Sequence, residues 1–325
     1  GRKPISVASM RPKARSGQAV DHRRPPRMTA LTTDTARADD ERLGLSYVTL
    51  AVLFFSSSAV LVRLAAPLSP YEIAAGRLLV AAAAVLGLSV LTERRGKEWA
   101  RPTRRDLPLF ALFGLVAALH FLLYIASLQF TSIAHSLAII YTSPIFVTLL
   151  SAWFLREPLG QRKWGGILIA VVGVAILAGF EPRLTSRILL GDAMALGSAI
   201  AYAFYSVAGR SQRSRFPLFL YAGMVYLMAA LWTLPIALAH LSPAYGSRQV
   251  FALLGLGIGP LALGHTLYNA ALRKAHATSV NLIATQEVTG GILLGFLLLG
   301  ETPSLNTLIG AMITLLGIAL VVKSG

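Results

Sequence analysis

Ten side chains set along an otherwise apolar sequence carry most of the chemistry it could do. His120 and Tyr124 stand four apart, so on a helix they share one face. His265, Tyr268 and Asn269 repeat that pattern further along. Tyr141 and Ser143 stand just before Pro144, Tyr202 and Tyr205 are three apart, and Glu287 follows Gln286. Tyrosine and histidine present an apolar ring with a polar tip. Such groups stack on an aliphatic or aromatic ligand and hydrogen-bond its polar end. Taken singly, each is equally an ordinary contact between helices with a satisfied hydroxyl. Their value lies in being a set.

The elements that must position this set follow from composition. The chain has 325 residues, of which 55% are hydrophobic and 14% charged, with a mean hydropathy of +0.65. A soluble domain carries about 25% charged residues, so lipid is the expected solvent. There are no cysteines, which excludes disulfides, thiolate metal sites and a cysteine nucleophile. Ten apolar runs approach the length of a bilayer-spanning helix: 45–65, 70–91, 107–127, 131–154, 164–180, 188–208, 217–239, 249–271, 277–299 and 305–322. LQFTS is the only break between the third and fourth runs. A turn is placed there because one unbroken helix through both would overshoot the bilayer.

Charge sets the orientation. With ten helices, 25 of the 30 Lys and Arg fall on the side of both termini. Arg183, Arg187 and Arg248 fall on the other, and Arg63 and Arg77 lie within helices. This asymmetry places both termini in the cytoplasm. It also accounts for the net charge of +16 without nucleic acid. Residues 1–44, rich in Arg, Asp, Thr and Pro with no apolar period, read as a disordered basic tail. Met28 is a candidate natural start, with an upstream extension or expression remnant before it. No cleavable signal peptide is expected, because the first apolar segment is long enough to remain as an anchor.

The chain also repeats itself at an offset of 144 residues. Glu157 falls on Glu301, Gly166 on Gly310, Gly173 on Gly317, and YIASL at 124–128 on YNAAL at 268–272. The halves, 45–180 and 188–325, hold five apolar runs each. Five is odd, so the halves insert in opposite orientations. Inverted repeats of this kind bind their substrate near the bilayer midplane, between the halves.

An ionisable group inside lipid needs a reason. Glu287, near the middle of the ninth run, is the sharpest case. It is either a proton-coupling carboxylate or anchor for a substrate ammonium, or a fixed group paired with Arg77 or a histidine. Arg77 could fork onto a substrate carboxylate, but a packing or snorkelling role is preferred. Arg63 and Glu72 read as interfacial and structural. Glu157 and Glu301 read as turn residues, Trp153 and Trp232 as interfacial anchors. Gly166, Gly173, Gly310 and Gly317 read as close-packing positions. Pro144, Pro235 and Pro260 read as kinks.

The segment SLQFTSIAHSLAIIYTSPIFVTLLSAWFLREPLGQRKWGGILIAVVGVAIL resembles the EamA-type drug/metabolite transporter superfamily. Its pattern is an AL-x-x-T/S-x-A turn, a mid-helix Pro, then E-x-L and G-x(6)-G. The second half repeats the pattern as ALRKAHATSVNLIATQEVTGGILLGFLLLGETPSLNTLIGAMITLLGIAL. LLGDAMALGSAIAYAFYSVAGR looks like the family's opening of its second half, and AAGRLLVAAA like its second helix, with Arg77 at a common Arg position. The resemblance covers 45–323. One departure stands out: Val288 occupies the position equivalent to Pro144, where many relatives carry Glu-Pro. The resemblance implies an all-α membrane protein of ten helices in two repeats, working by alternating access in a bacterial inner membrane. Many members export amino acids or similar metabolites.

The expectation is therefore a secondary transporter, an exporter of hydrophobic or aromatic amino acids, with a small molecule and the bilayer as partners. No cofactor is implied, and a monomer suffices. The chain has no G-x(4)-GK[ST] loop, so ATP is not the direct energy source. Its apolar spans have no Lys, which argues against strongly anionic substrates. A passive facilitator using the same cleft is the alternative. A membrane-embedded enzyme is disfavoured: Asp192 is alone among aspartates in or bordering a helix, H-E-x-x-H is absent, and Ser143 with His120 or His135 has no oxyanion motif beside it. In the expected site Tyr124, Tyr141 and Tyr205 touch the apolar body of the substrate, and His120 or Glu287 engages its charged end.

Overall fold

An apolar run in lipid must close its hydrogen bonds within itself, and the α-helix does so. The computed structural model describes residues 27–93, 102–155, 160–179, 185–210, 215–243, 245–271, 274–275, 280 and 283–323. Residues from Asp40 onward form one compact unit. The described residues are helices joined by short turns: α1 (Arg27–Leu64), α2 (Pro70–Glu93), α3 (Leu107–Phe130), α4 (Ile133–Ile140), α5 (Ser143–Leu155), α6 (Gln161–Gly179), α7 (Ser186–Arg210), α8 (Leu218–Ala239), α9 (Ser247–Leu256), a π-helical segment (Gly257–Gly264), α10 (His265–Ala271), α11 (Gln286–Leu299) and α12 (Leu305–Lys323). Among the described residues, seven spans are long and apolar enough to cross a membrane: Asp39–Leu64, Pro70–Thr92, Leu107–Phe130, Ile133–Leu150, Ser186–Val207, Leu218–Ala239 and Ser247–Ala271. Helix α1 already begins at Arg27, within the stretch expected to be tail. Residues 27–44 carry Ala, Leu, Arg and Glu, all good helix formers. Glu157, Arg183 and much of 272–282 lie outside the described residues.

Polarity is distributed as in a lipid-solvated protein. Leu53, Leu91, Phe251 and Leu297 are each more than 60% exposed, whereas Arg77 and His135 are 2% exposed. In water that arrangement would be costly on both counts.

The spans are not all continuous, and the interruptions matter for the site. The fourth apolar run breaks at Tyr141 and Thr142, and Pro144 follows as the second residue of α5. In an unbroken helix its ring would clash with the Ile140 carbonyl; in a new first turn no N–H is needed. Pro260 sits inside the π-helical segment, where the wider turn absorbs the missing hydrogen bond. The second half interrupts its helix at Thr285, the repeat equivalent of Tyr141, although Val288 replaces the proline there. Gly300, at φ 68°, then ends α11 in the left-handed conformation that glycine adopts freely.

Helix α6 packs antiparallel on α12 through the four repeat-related glycines. A Cβ at Gly166 would lie 2.8 Å from the Gly317 carbonyl oxygen, and one at Gly173 would lie 2.4 Å from the Thr314 nitrogen and 2.8 Å from the Gly310 oxygen. These are packing positions, as expected. Elsewhere α2 lies against α8, and α3 against α7 and α8. Glu72 completes a capping box at the start of α2, accepting from the Ser69 N–H at 2.7 Å while Ser69 Oγ accepts from its own N–H at 3.3 Å. Outside the spans, Asp106 ties the start of α3 to Arg215 before α8, with 2.8 Å between the charged atoms. The Thr103 N–H and hydroxyl, with Arg215, hold the Asp106 carboxyl below its ordinary range. Trp232, about two turns before the end of α8 and not at its end, is half-exposed and donates to the Ala111 carbonyl at 2.9 Å.

Candidate functional site

Helices α3, α7, α8 and α10 turn aromatic side chains toward one another. Between them is a narrow cavity of about 10 Å³, lined by Ala117, His120, Phe121, Tyr202, Tyr205, Tyr226 and His265. Ligand pockets commonly measure about 300–1,000 Å³, so this one is nearly shut and must open before any metabolite enters. His120 is fixed from behind. Its Nδ1 lies 2.8 Å from Ser198 Oγ and 3.0 Å from the Ser198 carbonyl, while Ser198 Oγ donates to the His120 carbonyl at 3.0 Å. That pattern assigns the proton to Nδ1 and leaves Nε2 as an acceptor. The His120 ring lies 5.2 Å from Tyr202, and His265 meets Phe55 edge-on at 4.9 Å.

Next to the cavity, the two interrupted helices meet. Tyr141 caps the end of α4, and its hydroxyl donates to Glu287 Oε2 in the first turn of α11. The positive end of the α11 dipole favours a carboxylate at that place. One residue comes from each half, and each stands at or just after the break in its own span. Tyr202 and Tyr268 lie within electrostatic reach of Tyr141, and Tyr268 sits 6.3 Å from Phe55.

Arg77 on α2 is buried rather than snorkelling. Its guanidinium stands over the Phe121 ring at 4.9 Å, a cation–π contact. It is within electrostatic reach of Tyr124, Glu287 and Tyr226. Its Nε and Nη1 have no hydrogen-bond partner among the described residues, and the Tyr124 and Ser58 hydroxyls lie beside each other.

A second polar network lies where α1, α3, α4, α7 and α12 come together. Arg63 Nε is 2.9 Å from Glu301 Oε1, and its Nη2 donates to the Thr131 carbonyl at 2.9 Å. Glu301 Oε2 accepts from the Ile133 N–H at 3.1 Å. Asp192 Oδ1 accepts from Thr131 Oγ1 at 2.8 Å and Asp192 Oδ2 lies 3.1 Å from His135 Nδ1; His135 Nε2 reaches Thr307 Oγ1 at 3.2 Å. Glu301 is thus more than a turn residue: it joins three segments.

Of the ten residues singled out from sequence, His120, Tyr202, Tyr205 and His265 line the cavity. Tyr124 is buried on the same face of α3, and Tyr141, Tyr268 and Glu287 cluster beside it. Ser143 is buried in the first turn of α5 and does not line the cavity. Asn269 turns its amide back to the His265 carbonyl, 2.8 Å away on its own helix. Phe121, Tyr226 and Ser58 carry no sequence signal that singles them out, whereas Arg77 does, as a guanidinium well inside an apolar run.

Comparison with known proteins agrees with this architecture. A model of the EamA-like transporter family matches twice, over residues 42–179 and 189–323. An uncharacterised transporter of Archaeoglobus fulgidus is 31% identical over 79% of this chain and 90% of its own. A probable terminal-alkyne amino-acid exporter of Streptantibioticus cattleyicolor is 27% identical over 68% and 75%. A riboflavin transporter of Vibrio cholerae is 26% identical over 58% and 61%. A solved crystal structure superposes with a TM-score of 0.62 at 20% identity, over 86% of this chain and 96% of that one, a likeness of fold. Two successive matches that together span nearly the whole apolar region, with the 31% identity, establish that the chain belongs to the EamA-like transporter family.

Proposed function

We propose that this protein is a secondary transporter that exports small amphipathic metabolites, hydrophobic and aromatic amino acids foremost, by alternating access. The observation that carries the reading is the Tyr141–Glu287 hydrogen bond beside the aromatic cavity. It joins the interrupted helices of the two halves, the arrangement in which transporters of inverted-repeat design hold their substrates. The aromatic walls suit an apolar side chain, and Glu287 with His120 Nε2 suits an ammonium. The similarity to a probable terminal-alkyne amino-acid exporter supports the same class.

The full architecture in this reading is ten transmembrane helices in two inverted halves, 45–180 and 188–325. The glycine contacts support it. Gly166 meets Gly317 and Gly173 meets Gly310, and the 144-residue shift exchanges one pair for the other, as a two-fold axis between inverted halves requires. The Lys and Arg asymmetry then makes both termini cytoplasmic, in a bacterial inner membrane. The Arg63–Glu301 and His135–Asp192 network falls at the opposite, outer end and closes that side. Its Asp–His–Thr chain is not read as catalytic, because Thr307 is 1% exposed and no substrate could reach it. A monomer suffices for all of this.

The test is counterflow of labelled phenylalanine into proteoliposomes loaded with unlabelled amino acids. Uptake stimulated by internal hydrophobic and aromatic amino acids, and not by acidic ones, is expected. Folded protein that exchanges no amino acid would end this reading. Collapsing a proton gradient separates coupled export, in which accumulation falls, from a passive facilitator, in which only equilibration is seen.

A further inference from the structure

Resting on that transport reading, we propose that Arg77, Tyr124 and Ser58 form a carboxylate subsite, so that the protein recognises the whole amino-acid zwitterion and not merely an apolar amine. Buried polar groups nearly always find a partner, and a buried guanidinium has most to lose without one. Arg77 is 2% exposed, yet Nε and Nη1 have no partner among the described residues. Two further hydroxyls stand on neighbouring helices, one near Arg77 and the second beside the first. The buried Tyr124 hydroxyl of α3 lies within electrostatic reach of Arg77, and Ser58 of α1 lies beside Tyr124. Arg77, Tyr124 and Ser58 offer N–H and O–H donors, and the nearby carboxylate, Glu287, is taken by Tyr141. A guanidinium fork with two hydroxyls is the donor set a carboxylate takes up.

The position relative to the cavity fixes the orientation of the ligand. Phe121 carries Arg77 on its face and also lines the aromatic cavity, so the guanidinium stands one ring away from it. The opposite charge is Glu287, near enough to act on Arg77 electrostatically but making no ion pair with it. Glu287 is held instead by Tyr141. Two opposite charges kept apart beside an aromatic cavity match a ligand with a carboxylate, an ammonium and an apolar side chain on one carbon. The carboxylate binds at Arg77, Tyr124 and Ser58, the ammonium turns toward Glu287, and the side chain enters between Phe121, Tyr205 and Tyr226.

The experiment measures inhibition of labelled phenylalanine exchange in proteoliposomes by three unlabelled probes: phenylalanine, phenethylamine, which lacks the carboxylate, and 3-phenylpropionate, which lacks the ammonium. In the wild-type protein both truncated probes should bind at least about tenfold more weakly than phenylalanine. Arg77→Gln should raise the KM for phenylalanine about tenfold or more and leave the affinity for phenethylamine unchanged, abolishing the discrimination. Arg77→Lys should restore it in part, because charge remains but the fork is lost. Tyr124→Phe and Ser58→Ala, each removing one hydroxyl, should give smaller shifts in the same direction and cover the case in which the Arg77 variants fail to fold. Equal inhibition by phenylalanine and phenethylamine in the wild type would overturn the subsite while leaving the transporter reading intact. Absence of any amino-acid exchange by folded wild-type protein would overturn both.

Discussion

Two polar networks in this bundle use the same kinds of residue and end up in opposite conditions. Around Arg63 the guanidinium meets Glu301 and the Thr131 carbonyl, and His135 meets both Asp192 and Thr307. Around Arg77 the guanidinium is buried with open hydrogen-bonding capacity, near a tyrosine hydroxyl that has a serine hydroxyl beside it. A buried network that satisfies its members holds helices together. One that leaves donors open is costly unless something else binds there. Under the proposed subsite, the difference separates residues that hold helices together from residues that receive a ligand, although both sets join an arginine to hydroxyl groups in an apolar setting.

The largest effect should come from breaking the satisfied network. Asp192→Ala removes the partner of Thr131 Oγ1 and of His135 Nδ1 together. Loss of one member of a buried pair costs about 3 kcal/mol, so the denaturation midpoint in detergent should fall clearly, with a smaller change in transport per folded molecule. A variant as stable as wild type would show that this network does not hold the helices.

The open centre should respond in the other sense. Glu287→Gln keeps an oxygen to accept from Tyr141 but removes the charge. Exchange of phenylalanine should fall roughly 10- to 100-fold, the equivalent of one charge-assisted hydrogen bond, while the thermal midpoint stays close to wild type. Loss of folding with no selective loss of transport would move Glu287 into the structural class beside Glu301.

A third, smaller effect lies where no polar atoms are involved. Gly173→Ala sets a Cβ 2.4 Å from the Thr314 backbone nitrogen, so α6 and α12 must part. Overpacking of this kind costs about 1–3 kcal/mol. Gly165, on the same helix, has nothing within 4 Å of its Cβ position. Gly165→Ala should therefore gain about 0.5–1 kcal/mol from helix propensity alone. Equal thermal midpoints for the two variants would remove the glycine contact as the source of the α6–α12 pairing.

Much of this arrangement was legible from sequence because lipid imposes simple lengths and periods. The apolar runs, the 144-residue repeat and the packing role of Gly166, Gly173, Gly310 and Gly317 follow from residue type and spacing. The breaks were half legible. Pro144 and Pro260 announce theirs, but Thr285 interrupts its helix with no proline near, held by the same repeat architecture as Tyr141. The beginning of α1 was not legible, since residues 27–44 are polar by composition and helical by propensity. The surroundings of Arg77 were not legible for a different reason. Whether a polar atom finds a partner depends on three helices brought together from positions 58, 77 and 124, and no local pattern encodes that.

Asn269 supplies the smallest effect and the cleanest control. It stands one turn from His265 and beside Tyr268, so spacing alone makes it a candidate for the cavity wall. Its amide, however, already donates to the His265 carbonyl at 2.8 Å, within its own helix. By the contrast drawn between Arg63 and Arg77, an amide held to its own helix in this way is not aimed at a substrate. Asn269→Ala should leave phenylalanine exchange within about twofold of wild type, since the local bond it removes contributes only about 0.5–1.5 kcal/mol to stability. A tenfold rise in KM without loss of folded protein would mean that Asn269 swings away from His265 when substrate binds. Satisfaction in the unliganded state would then cease to distinguish structural from binding residues here, and the assignment of the Arg63 network would have to be tested residue by residue.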